Sequence, residues 1–158
     1  MTTPVPPRLQ DLRGEDLATL HADGVAPDPR ELHGVLDGVV LGGALDHPAL
    51  RPLRLWRGKV VDEHVAGRPV TGRNRIGLGP GEVRRFTFEA RAATSLFSER
   101  EVVRLDHDRP GNPAAVRRFH DELVRIEPGL FLAPSPHRAS LDPASPLRFL
   151  CHFALATR

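Results

Sequence analysis

The densest set of side chains able to do chemistry in this 158-residue chain is Asp106-His107-Asp108, followed by His120-Asp121. Carboxylates beside imidazoles can hold a metal ion, or can share the work of acid and base around a substrate. The spacing speaks against a metal site. If residues 106–108 are extended, alternate side chains face opposite sides, and His107 does not join its two aspartates. Asp108, just before Arg109-Pro110, reads as a turn residue. Asp106 and His120 remain as the catalytic pair expected if the chain is an enzyme. Trp56, with Lys59 after it and Asn74-Arg75 further on, reads either as an anion-recognising pocket rim or as a plug at one end of a barrel. Cys151 is the only cysteine, which excludes an intrachain disulfide and a cysteine-based zinc site. The serines lack a Gly-x-Ser-x-Gly elbow, and Gly77-Leu78-Gly79-Pro80-Gly81 lacks the lysine and helix of a phosphate loop.

These residues must be held by something, and the pattern from Val102 to Leu132 predicts a strand, a helix and a strand. Asn112-Pro113 suits a helix start. Val116, Phe119, Leu123 and Ile126 recur at helical spacing, with Arg117, Arg118, Asp121, Glu122 and Arg125 on the other side. Pro128-Gly129 then ends the helix, which is expected over residues 113–126 with His120 at the margin of its apolar stripe.

The rest of the chain reads mostly as strand. Residues 1–13 carry Pro4, Pro6 and Pro7 and no apolar period, so a flexible arm is expected before a single globular domain over 14–158. Glu15 to His21 fits a short helix. Gly34–Leu41 favours a strand, Leu53–Trp56 alternates before a turn at Arg57-Gly58-Lys59, and Val60-Val61 resumes an extended run. Another strand is expected within Pro69–Leu78. Val83 to Ala90 has the clearest period of two, with Phe86, Phe88 and Ala90 on one face. Ala93–Ser98, Val102–Asp106 and Leu130–Ala133 read as short strands, and Ser135–Pro146 as a Pro-rich loop. Leu147, Phe149, Cys151, Phe153 and Leu155 form an apolar face of a last, long strand, and His152 lies on its reverse. Many short strands with frequent turns predict a mainly β fold, an antiparallel β-barrel or strongly bent sheet with the 113–126 helix packed on it. An α+β roll is the alternative.

Composition narrows the partners. Net charge at pH 7 is +2 despite an isoelectric point near 9.4. With no tyrosine and Lys59 the sole lysine, almost nothing loses a proton between neutrality and pH 10, so a small arginine excess carries the isoelectric point upward. No basic block exists, and nucleic acid is not an expected partner. No apolar run spans a bilayer and no signal-peptide pattern opens the chain, so a cytoplasmic protein without membrane contact is expected. No cofactor is expected either. A haem would need an axial ligand such as His152, which lies on the strand face opposite the apolar one.

Gly34-Val35-Leu36-Asp37-Gly38 has the spacing of a Gly-x-Trp-x-Gly signature, and Trp56-Arg57-Gly58-Lys59 resembles the Trp-x-Gly-Lys element that follows it. Leu105-Asp106-His107-Asp108-Arg109-Pro110 is similar to an aromatic-Asp-x-x-Pro stretch. Together the chain resembles the GXWXG-type domain family and its companion uncharacterised domain, small lipocalin-like bacterial proteins. Leu36 stands where the signature has tryptophan, and Leu105 where the later motif has an aromatic residue. The resemblance implies a small barrel holding an apolar ligand, and it carries over no catalytic residue.

The expected function is therefore non-enzymatic binding of a small, largely apolar molecule in a barrel cavity. Phe86, Phe88, Phe149 and Phe153 would line the cavity, with Trp56, Lys59, Asn74 and His120 as further binding residues. A small-barrel enzyme of cyclase or isomerase type, using Asp106 and His120 at the mouth, is the alternative. A protein-interaction module using Arg117, Arg118 and Arg125 is the third, and a homodimer is the assembly left open.

Overall fold

The computed structural model describes residues 5–43, 46–47, 49 and 55–158. Eight strands close into one antiparallel barrel in chain order: β1 (Gly34–Gly43), β2 (Trp56–Val61), β3 (Val70–Leu78), β4 (Gly81–Thr94), β5 (Glu101–Asp106), β6 (His120–Glu127), β7 (Leu130–Arg138) and β8 (Leu147–Thr157). Every neighbour in the sheet is a neighbour in sequence except at the seam, where β8 returns to pair with β1 from Leu36–Thr157 to Gly43–Cys151. Closure leaves no unpaired sheet edge.

One end of the barrel is packed solid. Leu36, Val61, Phe88, Ala90, Val103, Leu105, Leu123, Phe131, Ala133 and Leu155 fill it from the strands, and Leu32 enters from the segment before β1. A second apolar layer lies outside the wall. A 3-10 turn at Pro7–Asp11 and helix α1 (Gly14–Asp23) set Leu9 and Leu17 against Leu41, Leu130, Leu132, Ala154 and Ala156. These outward residues come from β1, β7 and β8, so the N-terminal segment lies across the seam. The alanines on the reverse face of β8 are thereby buried. The arm expected over residues 1–13 is packed from Val5 onward, Leu9 being almost wholly buried, while residues 1–4 lie outside the described residues.

The expected helix over 113–126 is the main correction. Only α2 (Ala114–Arg117) is helical there, and from His120 the chain is strand β6, paired with both β5 and β7. Leu123 faces the barrel core, whereas Ile126 packs on the outer layer beneath the N-terminal segment. A strand buried on both faces shows apolar residues on both, and these fall by accident into helical spacing. Arg117, Arg118 and Arg125 consequently form no common face. They are tied to Asp108, to the Ala139 carbonyl and to Glu31 respectively.

Other boundaries shift for local reasons. Arg57-Gly58 is a bulge inside β2, with two residues opposite one between the Trp56–Ile76 and Gly58–Arg75 pairs. Gly58 has φ +116°, and a Cβ there would stand 2.1 Å from the Leu36 carbonyl oxygen. Ala93-Thr94 ends β4 and residues 95–100 form a loop, clasped by Glu122, whose buried carboxylate accepts hydrogen bonds from Ser95 Oγ and Leu96 N. The expected loop from Ser135 begins instead after Arg138, because β7 continues through two prolines. The alternation expected over Leu53–Trp56 lies partly outside the described residues. No helix among the described residues is long and apolar enough to cross a membrane.

Candidate functional site

Above the packed layer the barrel is hollow. A cavity of about 250 Å³ opens toward the end where β2, β4, β6 and β8 begin. Its wall is mainly apolar: Val40, Trp56, Ile76, Phe86, Cys151 and Phe153 from the strands, with Val116 and Phe119 reaching across from the α2 segment. The remaining lining residues, Lys59, Asn74, His107, Asp121 and Ser135, are polar, and they are hydrogen-bonded to one another.

The β2 bulge explains why Trp56 and Lys59 belong to one site. Residues three apart in a regular strand face opposite sides, and one extra residue brings them to the same side. Lys59 Nζ then lies over the Phe88 ring at 4.8 Å and the Phe153 ring at 5.4 Å. Its partners are Asn74 Oδ1 at 2.9 Å, Asp121 Oδ2 at 3.4 Å and His107 Nε2 at 3.4 Å. Asn74 Oδ1 also accepts from the Trp56 indole N–H at 3.0 Å, and Asn74 Nδ2 donates to the Phe86 carbonyl at 3.1 Å. Phe86 is the extra residue of a second bulge, opposite Arg73-Asn74, and its φ of +61° is one that side-chain-bearing residues seldom adopt. The strained residue thus gives its ring to the cavity wall and its carbonyl to the polar cluster.

Asp121 completes the cluster from β6. Ser135 Oγ donates to Asp121 Oδ1 at 2.7 Å, which leaves Oδ2 facing Lys59 and, at 3.8 Å, His107 Nε2. Burial pushes the Lys59 pKa down, with the Asp121 charge opposing the shift. Burial and the Lys59 charge push His107 down to about 4, so its ring is neutral at pH 7 and Nε2 is available as an acceptor. Burial raises the Cys151 thiol to about 12, so it behaves as a small apolar side chain.

The expected residues divide cleanly. Trp56, Lys59, Asn74, Phe86 and Phe153 line the cavity together, and Phe88 forms the layer beneath Lys59. Asp106 and His120 pair with each other across β5 and β6, but on the outside of the wall. Asp106 meets Arg91 there, and His120 accepts from Arg138 Nε at 3.2 Å. The proposed acid–base pair therefore does not face the cavity. Phe149 is also outside and half-exposed, because a register shift between β7 and β8 at Ser135-Pro136 turns it toward the His152 ring, 4.9 Å away. His152 is outward-facing, as its even-numbered place predicts, and burial lowers it to about 4.

His107, Asp121 and Ser135 were not expected in the site. The alternation separating His107 from Asp106 and Asp108 does signal that His107 could point inward alone. Asp121 was hidden by the helical reading, which set it on a solvent face. Among the described residues no group of three His, Cys, Asp or Glu side chains is placed to hold a metal ion.

Fold and site together define a closed eight-stranded antiparallel barrel, solid at one end and hollow at the other, with a buried polar cluster on the cavity wall. No protein-family profile, no curated protein and no solved structure matches the chain.

Proposed function

We propose that the barrel is a cytoplasmic binding protein for a small, largely apolar molecule carrying one polar group. The observation that carries this reading is the cavity itself. Ring and aliphatic side chains surround it, while its polar residues converge on one patch, the arrangement that buries a ligand body and orients a single functional group. A volume of about 250 Å³ accommodates a substituted ring or a short branched chain. Burying one such ring is worth roughly 1.5–3 kcal/mol, to which hydrogen bonds with the polar patch add about 0.5–1.5 kcal/mol each. The likeness to GXWXG-type proteins remains part of the proposal. It is supported by the facing of the two motifs across the first ladder, where Leu36 pairs with Lys59 and Asp37 with Gly58.

Native and denaturing mass spectra of the purified chain test the reading. Extra mass in the native spectrum, lost on denaturation, is the expected result. Val40→Phe fills the cavity from β1 and is expected to abolish that extra mass while the melting temperature is retained. If Val40→Phe keeps the same bound mass, the ligand lies elsewhere and the reading fails.

A further inference from the structure

Of the 22 Lys and Arg residues in the chain, all but Lys59 are arginine. That one lysine is almost fully buried and lines the cavity. A guanidinium could carry a charge there, but it cannot give up its proton in a protein. An amine can, and its lone pair is then a nucleophile. We propose that Lys59 captures the carbonyl group of an aldehyde or ketone ligand as an imine. This inference rests on the reading of the cavity as a binding site for an apolar molecule, and it names that molecule's polar group.

The neighbours suit the reaction. Asp121 Oδ1 is occupied by the Ser135 hydroxyl, so Oδ2, 3.4 Å from Nζ, is the oxygen free to take the ammonium proton. The neutral amine attacks the carbonyl carbon; the C–N bond forms as the C=O π bond opens, and one N–H proton passes to the oxygen, giving a neutral carbinolamine. The proton returns from Asp121 to the departing oxygen, and the C–O bond breaks with release of water. Lys59 ends as a protonated imine beside the Asp121 carboxylate. Aldehyde plus lysine ammonium gives iminium plus water, with no oxidant or reductant consumed. Burial favours the free amine over the ammonium, in the direction the attack requires. The Trp56, Phe88 and Phe153 rings around Nζ favour the cationic product.

The sole lysine makes the test clean, since the α-amino group is the only other primary amine on the chain. The full chain is incubated at neutral pH with 4-isopropylbenzaldehyde and, in parallel, with 4-isopropylbenzyl alcohol, which cannot form an imine. Native mass spectra are recorded, and the aldehyde sample is then reduced with cyanoborohydride and mapped by peptide. Expected is a native adduct equal to the aldehyde less one water. After reduction the label should sit on Lys59, at least about tenfold more abundant than on the same lysine in the urea-unfolded chain. If aldehyde and alcohol both bind with their full mass and no label reaches Lys59, the imine is overturned and the binding cavity stands. Neither compound binding would overturn both. Label confined to the α-amino group, or equal on Lys59 in folded and unfolded chains, also overturns the imine.

Discussion

At the scale of single residues the site turns on one buried cation and the carboxylate that faces it. Removing Asp121 leaves the buried Lys59 ammonium without its counter-charge, so Asp121→Ala is expected to cost about 3–5 kcal/mol in urea denaturation at neutral pH. The loss should shrink as pH rises and Lys59 gives up its proton. Lys59→Met/Asp121→Leu, which removes both charges, should recover most of the stability. The histidines give a second expectation. His107 and His152 are held neutral in the fold, with pKa values near 4 against the ordinary 6.5. Lys59, Asp121 and Asp106 act on His107, and His21 acts on His152. Between pH 6.5 and 4 the unfolded chain therefore binds more protons than the folded one. The histidine contribution to stability is complete above pH 6.5 and is lost as pH drops, with His107 alone contributing a slope approaching about 1.4 kcal/mol per pH unit. Urea midpoints measured across that range check it, and a flat profile would show that His107 is charged in the fold. Trp56, Lys59, Asn74, Phe86 and Phe153 were legible in the sequence because aromatic residues beside Gly turns and period-two runs point to a barrel interior. His107 and Asp121 were not, because a charge facing inward interrupts the very alternation used to find inward positions.

Among the elements, bulges decide what the site contains. Both β2 and β4 take one extra residue: in β2 the phase change puts Trp56 and Lys59 on the same inner face, and in β4 the extra residue, Phe86, gives its ring to the cavity wall and its carbonyl to Asn74. The β2 bulge depends on Gly58, whose positive φ and lack of a Cβ let β1 approach. Gly58→Ala should force the ladder apart at Leu36, lower stability, and weaken ligand binding through displacement of Trp56 and Lys59. Thermal melts and binding titrations on the same variant separate the two effects, and an unchanged melt would show that β1 can yield at no cost. Strand existence was legible for β1, β3, β4, β5 and β8, where alternation or β-branched runs stand between glycines and prolines. The nature of β6 was not, because its outer face is covered by α1 and its inner face carries Asp121. Neither face displays the polar stripe that marks a half-exposed strand. The phase of β8 near Phe149 was illegible too, since a bulge is set by the partner strand's register and not by the residues that shift.

For the molecule as a whole, closure is the property with most consequences. The packed end gives rigidity, the hollow end gives room, and the N-terminal segment across the β1–β8 seam secures both. Leu17 is fully buried in that outer layer, and Leu17→Ala is expected to cost about 2–5 kcal/mol in denaturant titration while leaving the cavity lining intact. Loss of ligand binding under conditions where the variant is still folded would mean that the seam governs the cavity directly. The same cover also imposes an order on the making of the protein. The helix that seals the seam leaves the ribosome well before the strand faces it must cover, on β7 and β8, are synthesised. Leu9 and Leu17 must wait, uncovered, until more than a hundred further residues have emerged. Through that interval they are the natural handle for a chaperone, and they are the place where a stalled chain would first stick to another.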